Sequence, residues 1–242
     1  MMDTDRHSST EPGTEHDAQW AEFLSRLVHD LREPLRSMHA YSELLGESAQ
    51  GRLGADGDQA LREIGSGAAR MRVLLEGLAA YSQVLQESPR ALPVMPTSLQ
   101  SALRIVTANL DDQIRACGGT VTADGLPKVT LSLERAMQLL TALIGNSLRF
   151  RSPAPPEIRI SAVSADDGMC AISVHDNGIG IAPEDCEAVF KPFMRVEGRK
   201  YGGAGLGLTV CRKIVEAQGG TIRMEPGPGG GAVCTFTLPE GD

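Results

Sequence analysis

From Trp20 onward, apolar residues recur at threes and fours: Trp20, Leu24, Leu27, Leu31, Leu35, Met38 and Leu45. That is the spacing of one helix face, and it predicts a helix over residues 20–45. Gly51, Gly54 and Gly57 fall within residues 47–58 and mark a turn. A second periodic run follows, through Leu61, Ile64, Ala68, Met71, Leu75, Leu78 and Leu85. The small residues Ala60, Gly65, Gly67, Ala68 and Ala69 permit close helix contact. Two such helices with a short loop make an antiparallel hairpin. A lone hairpin covers both apolar stripes poorly, so a second copy is expected to complete a four-helix bundle dimer. Residues 1–17 are polar and aperiodic and read as a disordered tail, with the hairpin domain over 18–88.

Residues 89–98 hold three prolines and read as a linker. Beyond it the rhythm is mixed. Residues 99–116 are helical in pattern. Residues 120–131 look like short strands around a Gly-Leu-Pro turn. Residues 133–150 form a strongly apolar helix. Residues 157–163 and 169–175 alternate around Asp166-Asp167-Gly168, a hairpin signal. A helix over 206–218 ends at Gly219-Gly220, and strands over 221–225 and 232–238 flank a Pro/Gly turn. Helices interleaved with hairpins predict an α/β sandwich with a mixed sheet over 99–242, making the whole chain α+β.

Composition narrows the function. At 242 residues and 41% hydrophobic, the chain has enough apolar material for a real core. The formal net charge of −8 argues against a nucleic-acid or anionic-membrane partner. No apolar run approaches the roughly 18 residues of a membrane span, and the N-terminus carries no signal core. Cys117, Cys170, Cys186, Cys211 and Cys234 are odd in number and never spaced as CxxC. They read as core fillers in a reducing cytoplasm.

Chemistry enters at His29-Asp30. At about 100° per residue, His29 lies well away from Leu24, Leu27 and Leu31 and faces solvent. An exposed imidazole offers a neutral nucleophilic nitrogen at pH 7. Asp30 can take a proton or orient the ring, and Pro34 is expected to bend the helix just beyond. Taken alone, the pair reads first as a solvated helix face. His39 lies nearer the apolar face and reads as a packing residue.

Three later segments carry a second chemistry. In Leu139–Phe150 an amide and a guanidinium, Asn146 and Arg149, share one helix face. An amide oxygen suits Mg²⁺ and an Arg suits phosphate, although both also fit a solvated helix end. In His175-Asp176-Asn177-Gly178-Ile179-Gly180, Asp176 is an acceptor-only side chain matched to an exocyclic amino group, and the glycines allow close backbone approach. In Gly202-Gly203-Ala204-Gly205-Leu206-Gly207-Leu208, glycine amides precede a helix N-terminus, an anion site. The segment fits neither a dinucleotide fingerprint nor a Walker A loop.

An exposed histidine on a helical hairpin, followed in order by these segments, closely resembles a sensor histidine kinase. The motifs HDLREPLR, LIGNSLRFRSP, ISVHDNGIGI, VFKPFMR and GGAGLGLTVCRKIVEAQGGTI are similar to the subgroup attached to bacterial phytochromes. The resemblance covers residues 20–242. It implies a dimerisation and phosphoacceptor domain followed by an ATP-binding domain of the gyrase, heat-shock ATPase and histidine kinase type. Carried over, it makes His29 the phosphoacceptor and Asp30 its general base. Asn146 becomes the Mg²⁺ ligand, with Arg149 near the phosphates. Asp176 binds adenine, with Gly178 and Gly180 shaping the pocket. Phe190 and Phe193 match the phenylalanine motif beside the ATP lid, while simple core packing accounts for them equally well. Gly203, Gly205, Gly207 and Leu208 match the lid's glycine motif, and Lys191, Arg195, Arg199 and Lys200 supply lid cations.

Two positions depart from the family pattern. Ala142 stands where members often carry an Asn, four residues before Asn146. That motivates a second reading, a phosphotransfer or scaffold protein with a weakened ATP domain. Glu33 stands four residues after His29, where strong phosphatases carry Thr or Asn. A carboxylate there orients an attacking water poorly, so weak phosphatase activity is expected. The implied partners are a second copy and a response-regulator receiver domain. Only the short tail precedes the hairpin, so either a separate sensor protein supplies the input, the preferred expectation, or the chain is a core from which the sensor has been removed.

Overall fold

The computed structural model describes residues 12–49, 52–86, 95–196 and 202–241. The chain divides into two compact units, Met1–Glu87 and Ser88–Asp242.

The first unit is the hairpin of α1 (Pro12–Ser48) and α2 (Gly54–Gln86). Proline suits the first position of a helix, where its missing N–H is not needed. Residues 12–17, read from the sequence as tail, therefore belong to α1, while 1–11 lie outside the described residues. Pro34 sits inside α1 without ending it.

The seam between the helices corrects the expected stripe. Its buried residues on α1 are Ala21, Val28, Leu35 and Ser42, spaced by sevens. On α2 they are Ala68, Leu75 and Ser82, again spaced by sevens. Val28, Leu35, Ala68 and Leu75 form one cluster, with Leu78 and Ala79 against it. Each fully buried Val or Leu contributes roughly 1.5–3 kcal/mol. At the end of the seam, the Ser82 hydroxyl donates to the Ala21 carbonyl at 2.7 Å. The small residues Ala21, Ser42, Ala68 and Ser82 in that seam let the backbones approach closely, which keeps it narrow. Of the α1 residues expected to be buried, only Leu35 is. Trp20, Leu31, Met38 and Leu45 remain 44–50% exposed. Around α1 they lie about 60–100° from the seam, all on one flank. His29 lies about 100° away on the other.

The second unit contains β1 (Thr97–Ser98), α3 (Leu99–Asn109), α4 (Asp111–Ala116), β2 (Thr120–Asp124), β3 (Lys128–Val129), α5 (Leu133–Arg149), β4 (Glu157–Ser164), β5 (Met169–Asp176), α6 (Gly207–Glu216), β6 (Ile222–Pro226) and β7 (Ala232–Pro239). A mixed sheet has the order β2-β4-β5-β7-β6, parallel only between β2 and β4. Ile158, Ile160, Ile172, Val174, Phe236 and Leu238 are buried on one face of the sheet. The buried stripes of α3, α5 and α6 complete that core, giving two layers.

Three local expectations change. Residues 99–116 break at Leu110, and Asp111 and Asp112 begin a new helix with acids at its positive end. The strands flanking Gly-Leu-Pro do not pair with each other. β2 joins β4, while β3 joins β1 in a separate two-stranded ribbon. The ribbon takes up the end of the expected linker: Thr97 and Ser98 form β1, and the Ser98 hydroxyl accepts from Ser101 N–H to cap α3.

Candidate functional site

In the second unit, the ends of α5, β5 and α6 meet β6 and β7 around a recess that opens to solvent. Leu143, Asn146, Ser147, Val174, Asp176, Leu208, Met224 and Cys234 line it. Three residues singled out from the sequence, Asn146, Asp176 and Leu208, are therefore brought together.

Asp176 ends β5, and three donors fix its carboxylate. The N–H groups of Gly178 and Ala232 donate to Oδ1 at 2.9 and 3.1 Å. The Ser147 hydroxyl donates to Oδ2 at 3.0 Å. Oδ1 is thereby occupied, and Oδ2 retains acceptor capacity at the recess. A fixed carboxylate among Leu143, Val174 and Met224 selects a flat apolar ligand that carries an N–H donor. Cys234 shares this wall. Burial, and secondarily the Asp176 charge, push its thiol up to about 12, so it stays a neutral group at physiological pH.

The backbone closes tightly beneath Asp176. Ile179 N–H donates to the Phe150 carbonyl at 2.9 Å, and a Cβ on Gly178 would collide with that carbonyl. Gly180 faces the Gly231 carbonyl, and Gly231, at φ 75°, lies against the Asp176 carbonyl, where no side chain fits. Asn177 staples the turn to the chain entering β4, accepting from Glu157 N–H and donating to the Pro155 carbonyl, each at 2.9 Å.

At the recess mouth, no side chain among the described residues caps the N-terminus of α6, which leaves its first amides available to an anion. Gly207 begins that helix, across from Ala142. Gly203 lies directly against the Arg149 guanidinium. Partial burial and, secondarily, Arg195 lower the Arg149 pKa, yet a guanidinium remains charged at neutral pH. Gly205 packs on Phe193, whose N–H donates to the Gly205 carbonyl at 2.8 Å.

The two phenylalanines separate. Phe190 is fully buried, whereas Phe193 is exposed and has a left-handed φ of 62°. Lys191 is exposed; Arg199 and Lys200 lie outside the described residues. In the first unit, the His29 side chain is 88% exposed, and its Nδ1 is 3.2 Å from Asp30 Oδ1. A proton on Nδ1, shared with Asp30, leaves the Nε2 lone pair facing solvent. His39 is half-buried and pairs with Glu43 at 3.5 Å, in keeping with a packing role.

Sequence reasoning missed Ser147, Cys234, Gly231 and Ala232. A serine inside an apolar helix, and a Pro-Gly-Pro-Gly-Gly-Gly turn richer in glycine than a hairpin needs, were the available signals.

Both units match known families. Residues 19–87 match the His Kinase A (phospho-acceptor) domain. Residues 132–242 match the histidine kinase-, DNA gyrase B- and HSP90-like ATPase domain. The chain belongs to the sensor histidine kinases. Among relatives of this kinase core, cyanobacterial phytochrome A of Nostoc sp. is 36% identical over 93% of the chain and 29% of that protein. The phytochrome-like protein Cph1 of Synechocystis sp. is 31% identical over 93% of the chain and 30% of its own length. Sensor histidine kinase AruS of Pseudomonas aeruginosa is 31% identical over 89% and 22%. The chain thus spans less than a third of the length of these relatives. Among solved structures, full-length ShkA in complex with AMPPNP has a TM-score of 0.70 at 24% identity, over 91% of this chain and 46% of that one. This likeness concerns the fold. No described helix is long and apolar enough to cross a membrane.

Proposed function

We propose that this kinase core binds ATP in the recess, transfers the γ-phosphoryl group to His29, and passes it to an Asp of a response-regulator receiver domain. The observation that carries the reading is the Asp176 carboxylate, fixed by three donors so that an acceptor faces an apolar recess. Adenine presents an apolar ring with an exocyclic amine, and that amine matches the acceptor. The triphosphate would extend toward Arg149, the glycines before α6 and the free amides of that helix.

Mg²⁺ fits the donor set. Among the described residues, no group of three His, Cys, Asp or Glu side chains is assembled for a metal. An ion at Asn146 would take the amide oxygen and complete its shell from phosphates and water, as Mg²⁺ commonly does. Bound there, it would neutralise phosphate charge. In the transfer itself, Nε2 of His29 forms a bond to the γ-phosphorus as the bond to the β–γ bridging oxygen breaks. ADP leaves with that electron pair. Asp30 relieves the charge building on the imidazole by taking up the Nδ1 proton.

The reading includes a homodimer, whose support is the apolar flank of the hairpin formed by Trp20, Leu31, Met38, Leu45, Ile64 and Met71. It also includes a cytoplasmic location and weak phosphatase activity, the latter because Glu33 shares the helix face of His29. Incubation with γ-labelled ATP is expected to give acid-labile, base-stable label that is lost in His29→Gln. Label that survives this substitution would overturn the assignment.

A further inference from the structure

Between β5 and α6, residues 177–206 contain no strand or α-helix among those described, only 3₁₀ turns at Pro183–Asp185 and Ala188–Phe190. Such a segment supplies few backbone hydrogen bonds of its own and depends on tertiary anchors. One anchor stands out. Arg212 Nη1 and Nη2 donate to Glu187 Oε1 and Oε2 at 2.6 and 3.0 Å, a parallel two-bond fork. The same guanidinium lies 4.2 Å from the centre of the Phe190 ring, and Phe190 is fully buried. Most of the Arg212 side chain is shielded, whereas that of Glu187 is exposed. The fork lowers the Glu187 pKa and raises that of Arg212.

The position of this pair relates it to the recess. Arg212 lies one turn after Leu208 on the same face of α6, and Leu208 lines the recess. Phe190 leads in three residues to Phe193, whose N–H holds the Gly205 carbonyl. Gly205 leads in two residues to Gly203, which lies on the Arg149 guanidinium. Contacts alternating with two short stretches of backbone therefore join the fork to the cation at the recess mouth.

We propose that Glu187 and Arg212 are positioning residues for the phosphate side of the ATP site: their fork, seated on Phe190, sets where Gly203 and Gly205 stand relative to Arg149. This rests on reading the recess as an ATP site. Neither residue touches the recess, so their loss weakens ATP binding through placement.

The test measures ATP affinity by calorimetry and the KM and kcat of autophosphorylation in the full chain, for Glu187→Gln, Arg212→Lys and Arg212→Ala. Apo melting curves verify folding. Arg212→Ala is expected to raise Kd and KM for ATP by about tenfold, more than it lowers kcat. Glu187→Gln, a surface change that leaves the core intact, is expected to raise them by a smaller factor. Arg212→Lys, which keeps the charge without the fork, should recover part of the loss. Wild-type Kd and KM in an Arg212→Ala or Glu187→Gln protein that melts normally would overturn the proposal. So would a loss confined to kcat. Absence of ATP binding by the wild type would instead remove the ATP reading itself.

Discussion

Replacing Ser147 with Ala isolates one hydrogen bond at the base end of the recess. Ser147 is buried, and its hydroxyl donates to Asp176 Oδ2 at 3.0 Å while lying 3.3 Å from the Leu143 carbonyl. Removing the hydroxyl leaves Gly178 and Ala232 holding Oδ1 but takes away the bond to Oδ2, which is then less firmly oriented. A hydrogen bond to a charged group contributes about 1.5–3 kcal/mol. Oδ2 faces an open recess, so water replaces part of that, leaving about 1–2 kcal/mol. This corresponds to a rise of roughly 5- to 30-fold in Kd for ATP. Fold stability should change little, because a serine-to-alanine change removes one atom and opens no large cavity. Calorimetry with ATP and with ITP separates the explanations. Inosine carries an oxo group where adenine carries the amine, so the bond from that amine to the oriented acceptor cannot form with ITP. The loss is expected for ATP and largely absent for ITP. Equal losses for both nucleotides, or wild-type ATP affinity, would refute the argument that Ser147 acts by orienting Asp176 toward the amine.

Two further outcomes follow from the packing. At Gly231, a Cβ would run into the Asp176 carbonyl, and φ is 75°. Gly231→Ala should therefore cost more than the roughly 1–2 kcal/mol of a left-handed L-residue and lower the melting temperature by several degrees, at about 2–4 °C per kcal/mol for a unit of this size; an unchanged melting curve counts against the close packing of the two loops. Burial raises the thiol pKa values of Cys170, Cys211 and Cys234, the last to about 12. Their unfolded values are near 8.5, so above that pH the unfolded chain binds fewer protons than the folded one, and stability falls as pH rises. Melting temperature is expected to decline from about pH 8.5 upward, less steeply in Cys234→Ala; an identical slope in that variant would remove Cys234 from the account.

The division between what the sequence made legible and what it hid has a physical basis. The strands at Glu157–Ser164 and Met169–Asp176 were legible because alternation and a Gly-containing turn are local signals. Asp176 was legible as an acceptor because its chemistry resides in one side chain. Its three donors were not, since Ser147, Gly178 and Ala232 come from three separate segments that only the sheet brings together. The hairpin shows the limit most clearly. Its apolar arc is wide enough to serve two surfaces, and periodicity at threes and fours does not tell them apart. The residues that decide are the small ones: Ala21, Ser42, Ala68 and Ser82 mark where two backbones approach, so the larger Trp20, Leu31, Met38 and Leu45 are left outside. A stripe read by hydrophobicity alone ranks Leu31 above Ala21, yet close approach of two helices favours Ala21, and the bulky residues are then left exposed along one flank.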